Sequence, residues 1–219
     1  YNFKFFLIFI LILFQGFVGW YMVKSGLVND VTVSHYRLAS HLFLAFVILS
    51  SLIWILFNYY FESNKKFFNN YKKSLSIQFL VFLIFLQIIF GAFVSGLDAG
   101  KIYQTWPLMN DTFFPNDILI NSLKDFFNFD QRSLVQFFHR IIAYLIFLII
   151  MFIGYEFYKN KSKSLYKPYI YVLIFVLFQM FLGILTLISN LNIYIASLHQ
   201  ISSIFLTIAT LHLYHRTIN

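Results

Sequence analysis

Apolar residues in this chain come in long, almost unbroken stretches separated by short polar links. Six stretches, at about 3–23, 37–58, 76–97, 134–155, 169–189 and 193–213, each come close to the roughly 20 residues an α-helix needs to cross a bilayer. The pattern predicts an all-α polytopic membrane protein with six transmembrane helices and little soluble domain. Composition agrees: of 219 residues, 60% are hydrophobic and 11% charged, against about 45–50% and about 25% in an ordinary soluble domain. The first stretch has the single flanking charge Lys4 and no small-residue cleavage site, so it reads as a true span rather than a signal peptide. The absence of cysteine excludes disulfides, thiolate ligands and cysteine nucleophiles within this stretch.

The charges orient the spans. Lys65, Lys66, Lys72 and Lys73 crowd the link between the second and third spans, and Lys159, Lys161, Lys163 and Lys167 the link between the fourth and fifth. The positive-inside rule places both links, and both chain ends, on the cytoplasmic or equivalent side. The longest link, about 98–132, mixes Asp98, Asp111, Asp117, Asp125 and Asp130 with fewer cations and is expected outside. The net charge of +8 does not indicate nucleic-acid binding, because the cations sit at helix ends rather than in one patch.

An internal repeat marks the ends of the odd-numbered spans. Gln15 and Gly19, Gln87 and Gly91, and Gln179 and Gly183 share one spacing, which puts each pair on one helical face. The small residue lets another helix or a flat ligand come close, and the amide can bond across the interface. Simple helix packing is the first reading of these pairs. The repeat itself indicates a protein built of helix pairs.

Each even-numbered span carries a histidine near its start: His41, His139 and His199. All lie some five or six residues inside their spans, roughly 8–9 Å below the outer boundary at about 1.5 Å per residue. The residue four positions on is small each time: Ala45, Ala143 and Ser203. Arg37 precedes His41 by one turn and Arg140 follows His139 directly. Haem suits this set, with an iron that takes two imidazoles, a flat apolar ring and two carboxylates at one edge. Helix-packing hydrogen bonds and a transporter proton relay remain alternatives. Zinc suits less, because a closed site wants four ligands and no carboxylate lies at this depth. Spans three to six, with His139 and His199, can form a complete four-helix haem-binding bundle, whereas His41 belongs to half of one. With Tyr1 in place of an initiator, two helices and a further histidine are expected upstream. His35 is expected at the surface of the outer link, and His212 and His215 in a basic C-terminal flank.

The stretches GWYMVKSGL, YRLASHL, GAFVSGLDAGKIYQTWPLM, VQFFHRIIAYL, LGILTL and SLHQ resemble, in order and over nearly the whole chain, the haem A synthases (the COX15/CtaA family) of mitochondria and their bacterial relatives. GLDAGKIYQTWPLM is the most specific of them. The resemblance implies eight helices in two similar four-helix halves, of which this chain supplies the last six. Residues 1–62 would complete the N-terminal, substrate-haem bundle, 63–75 link the halves, and 76–219 form the C-terminal haem b bundle. It implies haem b iron ligation by His139 and His199, and a substrate-haem role for His41 at the catalytic site. His41's partner, and an acidic residue in a Glu-x-x-His-Arg motif, would lie upstream. Arg37 and Arg140 would hold propionates, and the loop from Gly96 to Met109 would cap the haem. Gln104 departs from the asparagine expected before Thr105.

The implied activity is oxidation of the C8 methyl of haem O to a formyl group, through hydroxylated intermediates, to make haem A for cytochrome oxidase. The alternative is a bis-histidine cytochrome without substrate chemistry; a proton-path transporter ranks third. Cytochrome c assembly proteins fit less, since the outer links lack a tryptophan-rich motif. Expected partners are membrane lipid and haem O, with haem O synthase as its supplier. An electron donor is required but is not named by the sequence, and a homo-oligomer is allowed. The expected location is the cell inner membrane, or the mitochondrial inner membrane, with the haem sites toward the outer side.

Overall fold

The computed structural model describes residues 2–26, 32–68, 74–118 and 122–218. Six helices span Asn2–Gly26 (α1), His35–Tyr60 (α2), Leu75–Gly96 (α3), Arg132–Lys159 (α4), Lys163–Ile188 (α5) and Ile193–Thr217 (α6). All six are long and apolar enough to cross a membrane. The described residues form no strand, and the remaining regular structure is two short 3-10 turns, Ala99–Lys101 and Asp125–Phe127. Helices α4 and α5 extend beyond their apolar stretches into the lysine-rich link. There Lys159 and Lys163 continue the helical backbone, although a hydropathy reading stops short of them. Lys72 and Lys73 lie outside the described residues.

The helices are arranged around α3. Helix α3 packs against α2, α4 and α6; α4 packs on α5, and α5 on α6, so α3 to α6 close a ring. Half of α3's most apolar window is buried within the protein, against 6% of α1's, which puts α3 at the centre and α1 at the edge. Along α4, Ile142, Ile146, Ile150, Ile153 and Phe157 recur at three or four residues and turn one stripe into the core. They meet Leu80, Ile84 and Ile88 of α3, Val172 and Val176 of α5, and Leu206, Ala209 and Leu213 of α6 in one apolar cluster. Helix α1 rests on α2 and otherwise presents Phe5, Phe9, Leu13 and Phe17 outward. Such a face is stable against lipid or another helix and not against water.

The lysine-rich end is closed by a polar lock. The link after α2 crosses the end of α6, and the Lys65 ammonium donates to the carbonyls of His215 and Ile218, satisfying oxygens that a helix terminus leaves open. Burial, with the Arg216 charge beside it, holds the Lys65 ammonium below its ordinary pKa. Trp54 Nε1 donates to the Lys65 carbonyl at 3.0 Å. The sequence placed His215 in a basic flank, but it is fully buried, at 0% exposure. Its Nε2 lies 3.2 Å from Asn58 Oδ1 and 3.3 Å from Ser63 Oγ. His212, half-buried, stacks on Phe61. The link folds back over both rings, so they pack inside rather than face outward.

Candidate functional site

The opposite end of the bundle gathers the three histidines predicted as a set. His41 is the seventh residue of α2, His139 the eighth of α4 and His199 the seventh of α6, so they share one depth. Each is met by the glutamine and glycine of the helix before it. Gln15 Nε2 lies 3.3 Å from His41 Nε2 and 3.0 Å from the His41 carbonyl oxygen. Gln87 Nε2 lies 3.2 Å from His139 Nε2. Gln179 Nε2 donates instead to the His199 carbonyl at 3.1 Å and to Ser202 Oγ at 2.7 Å.

The glycines complete the pattern. A Cβ placed on Gly19 would stand 2.9 Å from His41 Cε1, one on Gly91 3.4 Å from His139 Cε1, and one on Gly183 3.3 Å from His199 Cε1. The imidazole edge therefore lies against bare backbone in all three pairs. Sequence reasoning found the repeat and assigned it to helix packing; its contact with the histidines went unread. The signal was present in the matched spacing. In a helix pair whose members run in opposite directions, the end of the first helix lies beside the start of the second, at the depth of the histidine.

These imidazoles suit an iron. The amides of Gln15 and Gln87 stand 3.3 Å and 3.2 Å from Nε2 of His41 and of His139, and the ring's tautomer decides which partner donates. In the Nδ1–H tautomer Nε2 keeps the lone pair that a metal requires. The Nδ1 atoms of His41, His139 and His199 are buried without a hydrogen-bond partner. His139 and His199 stand on α4 and α6 of the one closed ring. Among the described residues no group of three or more histidine, aspartate or glutamate side chains gathers as a metal-ion site. Two such imidazoles match the axial needs of a haem rather than those of a bare divalent ion.

The loop after α3 covers the start of α4. Asp98, in the left-handed conformation, pairs with Lys101 at 2.9 Å and turns the chain. Tyr103 is 3% exposed, and its carbonyl accepts from Gln136 Nε2 at 2.8 Å and Arg140 Nη2 at 3.1 Å. Arg140 Nη1 reaches the Leu108 carbonyl at 3.3 Å. The Tyr103 hydroxyl lies 2.7 Å from Asp117 Oδ1, and Asp117 also accepts from Ser133 at the start of α4. Burial, aided by Asp117, pushes the Tyr103 phenol above its ordinary pKa. Thr105 Oγ1 donates to the Leu108 carbonyl and accepts from the Asn110 amide, closing the turn around Trp106 and Pro107. Gln104, the departure noted in the sequence, donates to Asn190 Oδ1 at 2.7 Å and ties the loop to the α5–α6 link.

One expectation changes here. His35 is 7% exposed, not on the surface. It opens α2 and packs edge-on against Phe93, with its Nε2 3.5 Å from Asp130 Oδ1. Gly96 permits this, since a Cβ there would stand 2.8 Å from His35 Cβ. The Arg37 guanidinium lies over the Tyr21 ring, and the residue lines a cavity of about 330 Å³ with His35, Gly96, Asp98 and Arg132.

The fold and site together define a polytopic helical membrane protein made of repeated helix pairs, each presenting one braced histidine at the same end. Comparison with known proteins gives the family. Residues 1–211 match the COX15-CtaA family of cytochrome oxidase assembly proteins, and the chain belongs to it. It is 44% identical over 205 residues to the haem A synthase of Pelagibacter ubique, covering 93% of this chain and 59% of that protein. To the haem A synthase of Wolbachia pipientis wMel it is 41% identical over 195 residues, covering 88% and 53%. To that of Flavobacterium psychrophilum it is 36% identical over 206 residues, covering 93% and 60%. The chain spans about three fifths of the length of the first of these relatives.

Proposed function

We propose that this chain carries the resident-haem bundle and part of the substrate site of an oxidoreductase that converts haem O to haem A by oxidising its C8 methyl group. The observation that carries the reading is the pair His139 and His199. They sit at one depth on α4 and α6 of the closed ring, with glycine backbone against each imidazole edge. They would ligate a haem b, which when bound supplies one-electron chemistry. His41 would meet the iron of the substrate haem O. Residues 1–62 belong on this reading to the substrate half, 63–75 to the link and 76–219 to the haem b half. The lysines at the opposite end favour the cytoplasmic side for that end and the outer side for the histidines.

The chain's own residues then divide the work. Gly91 and Gly183 leave room for the imidazoles, and Gln136 and Arg140 hold the loop over the start of α4. Two of Arg140's five N–H groups point at loop carbonyls, and the others would serve a propionate. Arg37, in the first turn of α2 and on the cavity wall, would do the same for the substrate.

The test is a reduced-minus-oxidised absorption spectrum of the detergent-extracted natural full-length protein, beside its His139→Ala and His199→Ala variants, with haem A extracted and quantified. A b-type signal lost in both variants, together with haem A in the wild type, supports the reading. A b-type signal without haem A points to an electron-transfer cytochrome, and absence of haem points to a transporter.

A further inference from the structure

The three glutamines do not treat their histidines alike. Gln179 grips α6 through the His199 carbonyl and Ser202 and leaves the ring alone. Gln87 meets His139 at Nε2, and Gln15 meets both Nε2 and the carbonyl of His41. Nε2 is the atom an iron would take. A ring nitrogen hydrogen-bonded to an amide cannot bind a metal at the same time.

We infer that Gln87 is a stand-in partner for His139: it satisfies Nε2 when no haem is bound, and haem binding must displace it. This rests on the proposed ligation by His139. The arrangement has one consequence. With haem, the amide loses its partner, so the bond competes with ligation and weakens apparent haem affinity. Gln15 does the same for His41, where it is anchored to the backbone as well and stays beside the ring after displacement. On the proposed reading the His41 site takes in one haem and releases another, and there such a competitor eases release. His199, whose ring has no amide partner, is the pre-formed half of its pair.

The sign of the effect separates this from a packing role. Hemin is titrated into haem-free natural full-length protein, expressed under iron limitation, for the wild type and for Gln87→Leu, Gln87→Met and Gln179→Leu. Both Gln87 variants should bind hemin about two- to tenfold more tightly, the range of one net intramolecular hydrogen bond. Gln179→Leu should bind no more tightly than wild type. Unchanged or weaker binding in the Gln87 variants, or equal tightening in Gln179→Leu, overturns the inference. His139→Ala is run alongside. If it keeps the low-spin b-type spectrum, the ligand assignment fails. If it loses that spectrum and the Gln87 variants do not tighten, only the stand-in role fails.

Discussion

The Arg140 guanidinium joins two backbone carbonyls five residues apart, those of Tyr103 at 3.1 Å and Leu108 at 3.3 Å. Arginine suits the task because its planar fork places donors on two acceptors at once, which a lysine ammonium does less well. The residue after His139 therefore fastens the loop that covers the start of α4. Arg140→Leu should release that loop. A hydrogen bond from a charged donor contributes about 1.5–3 kcal/mol, so cleavage within residues 98–131 should quicken about tenfold or more. Limited proteolysis in detergent measures this, and Arg140→Lys should fall between the two. Equal cleavage of Arg140→Leu and wild type would speak against the clamp.

His41 and His139 should separate by spectrum and by product. Changing His139 or His199 to alanine should remove the low-spin b-type signal, whereas His41→Ala should keep it and stop haem A formation in the full-length protein. Haem extraction and absorption spectroscopy of the same membranes test both halves. Normal haem A output from His41→Ala would sink its substrate-site role.

The glycines offer a graded series with an internal control. Gly16 has nothing within 4 Å of an added Cβ, whereas at Gly19 the Cβ would meet His41 Cε1 at 2.9 Å. Gly16→Ala should therefore be neutral. Gly19→Ala should displace the His41 ring and lower haem A output severalfold while the b-type signal stays. Gly91→Ala, at 3.4 Å from His139 Cε1, should act in the other half and more mildly, as a shifted or broadened b-type band. If Gly16→Ala and Gly19→Ala behave alike, the close approach has no functional weight.

The loop should loosen in alkali. Burial and Asp117 raise the Tyr103 phenol above its ordinary value of 10.0, so the folded loop favours the neutral form. Above pH 10 an open loop would release the phenol proton before the closed one does, so the open state binds fewer protons and closure weakens as pH rises. The contribution is whole below the ordinary value and is lost as pH climbs through the raised one. Protease sensitivity of the loop should climb over that window, and Tyr103→Phe should remove this part of the pH dependence. An identical alkaline profile in the variant would reject the assignment.

Much of the architecture was legible because it is local. Each apolar stretch is long enough to cross a bilayer by itself, and hydrogen bonding within the segment leaves the helix as the available form. The equal depth of His41, His139 and His199 also followed from counting residues into each span. The order of stretches such as GLDAGKIYQTWPLM pointed to the family that the comparisons then gave. Which faces meet was not legible. A helix such as α1, apolar all round, carries no stripe to say which side turns inward. So the Gln-x-x-x-Gly pairs were visible as a repeat, while their targets, the imidazoles of the next helix, were fixed only by antiparallel packing. His35 and His215 sit next to polar links, and local sequence gave no sign of burial. They are buried because Gly96 lets α2 and α3 close together at one end, and because the link through Lys65 folds over α6 at the other. Arg140 reads from the sequence as a propionate partner, and only the return of the loop shows it also holding Tyr103 and Leu108. Span length and depth are set by the chain's own covalent geometry, whereas partners far apart in sequence are chosen by packing, which a single strand of letters does not record.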